Sequence, residues 1–112
     1  SKVAPPGDAL AVELIADVCR DSHQVVRWAA VEALSTTARR GDALALEVFS
    51  ERSRDSNPVV RWAAVEGLSK AAPRNDTGVL ERLVELLSDE DWRVREAAVG
   101  AVAAVAPEGA PP

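Results

Sequence analysis

Residues Arg20–Ser35 read RDSHQVVRWAAVEALS, and residues Arg54–Ser69 read RDSNPVVRWAAVEGLS. The second stretch begins 34 positions after the first, and a further step of 34 reaches Ser88, where SDEDWRVREAAVGAV follows. Self-similarity at a fixed period of this length is the signature of repeat architectures, in which units stack and share one core. The sequence therefore predicts three tandem units.

Aspartates at matching positions mark where each unit begins. Asp8, Asp42 and Asp76 share one register, and aspartate favours a helix start because its side chain accepts a bond from a free backbone N–H. We predict that each unit is a helix, a short polar turn and a second helix, which gives an all-α chain of six helices. The units span 8–41, 42–75 and 76–109, and the tails span 1–7 and 110–112.

The second helices carry the most regular pattern. In each of them, apolar side chains recur at spacings of three and four and so share one face. Small residues on this face let neighbouring helices approach closely. Gly67 costs about 0.5–1 kcal/mol relative to Ala in a helix interior, so a close approach is predicted there. The predicted faces are Val26, Ala29, Ala30, Ala33 and Leu34; Val60, Ala63, Ala64, Gly67 and Leu68; and Val94, Ala97, Ala98, Ala101 and Val102.

The starts of the second helices are predicted from capping residues. Asn57 precedes Pro58 and looks like an N-cap followed by proline at the first helical position, where its missing donor costs nothing. Asp91 holds the same place in the third unit. His23 holds it in the first unit, where it is a poorer cap that Ser22 could replace.

The stretch Asp55–Leu68 indicates the type of repeat through three features: its turn aspartate, the Val-Arg pair at Val60-Arg61 and the following Ala-Ala-x-x-x-Leu. This pattern resembles the core of HEAT-like repeats, especially the short form of phycobilisome-lyase-type proteins. The resemblance covers residues 8–106 and implies an α-solenoid of three helix-turn-helix repeats, an α-α superhelix. The Trp, Gly-Tyr and Pro pattern of tetratricopeptide repeats and the T-P-L-H turn of ankyrin repeats are both absent.

The resemblance also implies a ladder of ion pairs along the stack, within or between units. A partly buried guanidinium needs a carboxylate partner, so a repeating arginine needs a repeating aspartate. We expect these residues to be structural; the alternative is that some arginine side chains line the binding surface. The aspartates are Asp21, Asp55 and Asp89, and the arginines are Arg27, Arg61 and Arg95.

Two tryptophans lie on the outward side of their helices. On a helical wheel, Trp28 and Trp62 fall opposite the apolar face. Second helices line the concave surface of such a solenoid, where partners dock, and tryptophan is enriched at interface hot spots. Flanking carboxylates would suit a protein or peptide with basic side chains. The predicted partner-binding residues are Trp28, Glu32, Ser35, Trp62, Glu66, Ser69 and Glu96.

A second interpretation of the tryptophans stays open. Each ring could instead lie over the neighbouring second helix and fill the groove between repeats. In the third unit Glu96 replaces the tryptophan, and Trp92 stands at the predicted first position of its helix, where local packing is expected.

Composition excludes several classes of function. The net charge of −5 argues against nucleic-acid binding and against an anionic membrane surface, because both need an excess of basic residues. The single cysteine, Cys19, rules out an internal disulfide and fits a reducing compartment such as the cytoplasm. His23 is the only histidine, so a His-rich metal site is excluded, and no cofactor or catalytic constellation is predicted.

The favoured function is a non-catalytic scaffold that binds another protein on the concave face. Two alternatives remain: a self-assembling structural protein, and an accessory domain of a lyase-type modifying enzyme. Self-assembly is suggested by the last helix, because Val99, Gly100 and Ala103 lie away from its core face with little polar cover. Such an end is typical of a longer array or of a homo-oligomer.

Overall fold

A computed structural model describes residues 8–107, and these residues form six α-helices. The predicted all-α solenoid of three helix-turn-helix units is confirmed. The tails at 1–7 and 110–112, like the end of the third unit, lie outside the described residues. The first helices are α1 (Ala9–Val18), α3 (Ala43–Arg52) and α5 (Thr77–Leu86), and the second helices are α2 (Gln24–Thr37), α4 (Pro58–Ala71) and α6 (Trp92–Val105).

Side-chain caps explain why the helices begin where they do. Asp8, Asp42 and Asp76 each accept a bond from the backbone N–H three residues later, at 3.0, 2.9 and 3.1 Å. Asn57 caps α4 with Pro58 at its first position, and Asp91 caps α6. Each cap satisfies a first-turn donor that has no partner within its helix.

The cap of α2 is weaker than its counterparts. His23 Nδ1 accepts a single bond, from the backbone N–H of Val25 at 3.1 Å. Asn57 Oδ1 accepts from two backbone donors at the matching place in α4. Ser22, the alternative cap considered above, instead presents its carbonyl oxygen to Arg27.

We therefore expect His23→Asn to raise the free energy of unfolding by about 0.5–1 kcal/mol, because asparagine is among the strongest caps. Urea denaturation followed by circular dichroism measures the change. Ser22→Asn is the matched control and should leave stability nearly unchanged. A less stable His23→Asn variant would contradict the conclusion that His23 is a weak cap.

The turns between units are fastened to the following unit. Gly41 and Asn75 hold matching places and have positive φ angles of 85° and 64°. Their backbone N–H groups donate to the carbonyl oxygens of Ala71 and Val105, each at 2.6 Å. Each of these turns thus satisfies a carbonyl at the C-terminus of the next second helix.

Helix stacking is closest among the second helices. α2 packs on α4 and α4 packs on α6, whereas α1 contacts α3 less extensively. The core runs continuously through the three units and is built mainly of Ala, Val and Leu, with one aromatic ring, Phe49, fully buried. The predicted apolar face of α4 is buried throughout.

The predicted face of α2 is only partly buried, which corrects the expectation for the first unit. Val26 is 38% exposed, although its counterpart Val60 is fully buried. Ala29 is also exposed, whereas its counterpart Ala63 is buried. The reason is positional: α2 covers this side of α4, and no helix before α1 covers α2 among the described residues.

Candidate functional site

The Asp/Arg ladder joins each unit to the next one. Arg27 donates from Nε and Nη2 to both carboxylate oxygens of Asp55, at 2.8 and 3.0 Å. Arg61 makes the same two-bond contact with Asp89, at 3.0 and 3.1 Å. Two parallel charge-assisted bonds fix orientation as well as adding energy. The pairs therefore fasten the second helix of one unit to the turn of the next.

The remaining nitrogen of each arginine binds the turn of its own unit. Arg27 Nη1 donates to the carbonyl oxygens of Asp21 and Ser22, both at 3.0 Å. Arg61 Nη1 donates to the equivalent carbonyls of Asp55 and Ser56. Each guanidinium thus links two turns, and all three of its nitrogens donate to partners within the stack.

The two ends of the ladder depart from the predicted pairing. Because Arg27 and Arg61 reach forward by one unit, Asp21 and Arg95 have no such partner among the described residues. Among residues 8–107, Asp21 forms no ion pair and accepts from the backbone N–H of His23 at 2.8 Å. Within the same residues, Arg95 donates to the carbonyl oxygen of Asp89 at 2.7 Å and meets no carboxylate.

Asp55 is the most enclosed charge in the ladder, with 2% of its side chain exposed. Arg52 Nη1 also donates to it at 3.1 Å, and so does the backbone N–H of Asn57 at 2.9 Å. Burial raises the pKa of Asp55, but the bonds from Arg27 and Asn57 outweigh burial, and its pKa lies below the ordinary value. The carboxylate therefore stays ionised in the folded chain.

The two tryptophans border one hollow between α2 and α4. Trp28 is 39% exposed and Trp62 is 37% exposed, so neither ring is sealed between the repeats. Helical spacing of four places Glu32 on the same face as Trp28, and Glu66 on the same face as Trp62. The hollow has a volume of about 320 Å³ and is lined by Trp28, Glu32, Trp62, Ala63, Glu66 and Lys70.

A second hollow lies on the other side of Trp28 and was not anticipated from the sequence. It measures about 310 Å³ and its exposed lining is mostly apolar. Asn57 Nδ2 donates to Gln24 Oε1 at 2.9 Å, which ties the starts of α2 and α4 together beside it. Trp28 therefore separates an apolar hollow from an acidic one. The lining residues are Gln24, Val25, Trp28, Asn57 and Val59.

Some predicted site residues do not line these hollows. Ser35 and Ser69 are half-buried, and Glu96 is exposed on α6 at the position equivalent to Trp62. Lys70 was missed, although its spacing of four from Glu66 and eight from Trp62 puts all three side chains on one face. Trp92, expected to pack locally, is 62% exposed.

The residues best suited to chemistry occupy structural positions. Cys19 is fully buried, and burial raises the pKa of its thiol to about 11, which disfavours the reactive thiolate. His23 uses Nδ1 as a helix cap. Within residues 8–107, no group of three His, Cys, Asp or Glu side chains is placed to hold a metal ion.

None of the helices formed by residues 8–107 combines the length and the apolar character of a membrane span.

Comparison with known proteins agrees with the geometry. A search of curated proteins found no similar sequence. A family model described as HEAT repeats matches residues 6–69 and again residues 46–112, so the two matches together cover nearly the whole chain. The match does not distinguish the phycobilisome-lyase-type form from other HEAT repeats, and that subtype stays a prediction. With stacked helix pairs, a ladder between units and a match over nearly its full length, the chain belongs to the HEAT-repeat family.

Proposed function

We propose that this chain is a non-catalytic scaffold that binds a protein segment across Trp28 and Trp62. HEAT repeats commonly serve as protein-interaction scaffolds. The observation that carries the proposal is the hollow bordered by two partly exposed indole rings on adjacent second helices. Tryptophan provides a large contact area at little cost in conformational entropy, which is why it dominates many interface hot spots.

The position of the hollow supports docking on the inner curve of the stack. The second helices approach one another more closely than the first helices do. In a curved stack, the side with closer spacing is the concave side, and solenoids commonly bind partners there. The binding surface would then comprise the two hollows and Trp28 between them.

The chemistry of the lining indicates which partner fits. Glu32 and Glu66 place two carboxylates beside the rings, and Lys70 offsets one of them. A lysine or arginine side chain would gain both charge pairing and contact with an indole face. The neighbouring hollow, with Val25 and Val59, suits an aliphatic side chain. The partner is therefore a peptide segment with a basic residue close to an apolar one.

A random peptide library displayed on phage tests this proposal with the purified chain as bait. We expect the selected peptides to be enriched in Lys or Arg within a few residues of an aliphatic side chain. The double substitution Trp28→Ala/Trp62→Ala should weaken their binding at least about a hundredfold, because each hot-spot truncation costs about 2 kcal/mol or more. Isothermal titration calorimetry with synthetic peptides measures the loss.

Trp92→Ala is the matched control, because this ring is also exposed but lies outside both hollows. It should bind the selected peptides as the unchanged chain does. Circular dichroism establishes that each variant folds. If the double variant unfolds, the rings serve to pack the repeats together. If it folds and binds as tightly as the control, the rings do not form the binding surface.

A further inference from the structure

The joint between consecutive units is built twice from the same parts. One part is the forward ion pair, Arg27 to Asp55 in the first joint and Arg61 to Asp89 in the second. The other part is a valine on the second helix: Val31 in α2 is fully buried. Its counterpart in α4 is fully buried as well, and each lies on a helix that the following second helix packs against.

The C-terminal end of the stack carries one unmatched half of this joint. Val99, the counterpart of Val31 and Val65, is 61% exposed on α6, where no unit follows among the described residues. Arg95, the counterpart of Arg27 and Arg61, is exposed as well. The surface that each earlier unit presents to its successor is therefore open here.

The N-terminal end carries the other half. Asp21, the counterpart of Asp55 and Asp89, is exposed, and within residues 8–107 no guanidinium meets it. Beside it, α1 and α2 form an open apolar groove of about 470 Å³. The groove is lined by Leu14, Ile15, Val18, Val25, Val26, Ala29, Ala30 and Ala33.

We propose that the chain associates head to tail with a second copy of itself. In this joint, Arg95 of one copy pairs with Asp21 of the next copy, and Val99 enters the apolar groove between α1 and α2. The contact repeats in register the joint that the chain makes twice internally. Because it joins two different surfaces, it leaves a free end on each side and permits an open series of oligomers.

Complementarity favours a second copy as the occupant. One end offers an arginine and an exposed valine, and the other offers an aspartate and an apolar groove. An arginine and a valine of one second helix also meet the following unit at each joint inside the chain, at the equivalent positions. Burial of this apolar surface supplies the driving force, and the charge pair fixes orientation and register.

Charge reversal tests the proposed joint, with sedimentation velocity over a concentration series as the measurement. The average mass of the unchanged chain should rise above 11.9 kDa as concentration increases. Asp21→Arg and Arg95→Asp each place like charges in the joint, so either should weaken association at least about tenfold. Glu81→Arg carries the same charge change as Asp21→Arg, at a position whose counterparts are exposed in all three units. This variant should associate normally.

A mixture of the two weakened variants provides the decisive comparison. When Asp21→Arg and Arg95→Asp chains are combined in equal amounts, every joint between unlike chains is again an opposite-charge pair, and association should recover. Val99→Asp, a change at an exposed residue that spares the fold, should block association of that variant with itself, because no copy then brings Val99 to the groove of the next. A chain that stays monomeric at all concentrations would overturn the proposal. So would charge reversals without effect, or a mixture that fails to recover.

Discussion

Asp55→Asn should lower the free energy of unfolding by about 3 kcal/mol, among the largest effects of any single polar substitution in this chain. Removing one partner of a buried ion pair leaves an uncompensated charge, which typically costs about 3–5 kcal/mol. Here Arg27 would lose its only carboxylate partner among the described residues, and Arg52 would keep only its longer contact with Glu51 at 3.4 Å. Both arginine side chains are largely buried. Their partial solvent access places the expected cost at the lower end of the range. Urea denaturation measures the change.

Asp21→Asn is the matched control, because Asp21 occupies the same turn one unit earlier. Both aspartates accept a bond from the backbone N–H two residues later, which asparagine can also accept. They differ in the guanidinium groups, which reach Asp55 and, among residues 8–107, do not reach Asp21. At a concentration low enough for the chain to be monomeric, we expect Asp21→Asn to change stability by about 0.5 kcal/mol or less. Equal losses at both positions would refute a dominant role for the ion pairs.

Acid titration gives an independent measurement on the Asp55→Asn variant. The folded pKa of Asp55 lies below its unfolded value, because the bonds from Arg27 and Asn57 outweigh burial. Its contribution is therefore complete above the unfolded pKa of about 4 and is lost as pH falls through the folded value. The unchanged chain should lose more stability below about pH 4 than the variant, which has no carboxyl group at this position. Parallel curves for the two chains would contradict this origin of the acid sensitivity.

The period and the caps could be predicted from the sequence because both are local. Asp8, Asp42 and Asp76 each accept a bond from a backbone donor three residues away. The period of 34 is found by comparing stretches of the sequence with one another. The direction of the ladder was not predictable in the same way. Arg27 is six residues from Asp21 and 28 from Asp55, and only the stacking of units shows that its carboxylate partner is the distant one.

Burial at the ends of the stack could not be predicted from a helical wheel. The wheel gives Val26 and Val60 the same environment, yet one is exposed and the other is buried. The difference depends on whether a neighbouring unit covers the position, which is a property of the stack. Similarly, the wheel placed Trp28 and Trp62 outward, but the hollows between them and beside Trp28 depend on the spacing of α2 and α4.

Gly67→Ala should destabilise the chain by about 1–2 kcal/mol, although alanine is the better helix former. A Cβ added at Gly67 would lie 2.5 Å from Cε1 of the Phe49 ring, and this ring is fully buried. Overpacking of this kind costs about 1–3 kcal/mol, whereas the gain in helix propensity is about 0.5–1 kcal/mol. Gly100→Ala is the matched control in α6. Among residues 8–107, no atom beyond the adjacent residues and the surrounding backbone of α6 lies within 4 Å of its added Cβ, so that variant should be more stable.

A compensating change within the same unit separates the clash from other causes. The first and third units place Ile15 with Ala33 and Leu83 with Ala101 where the second unit places Phe49 with Gly67. Phe49→Leu alone should cost about 1 kcal/mol or more, because it leaves a gap. Combined with Gly67→Ala, it recreates the pair of the third unit, and most of the lost stability should return as a favourable coupling energy. Strictly additive losses in this double-mutant cycle would show that the ring and the glycine do not constrain each other.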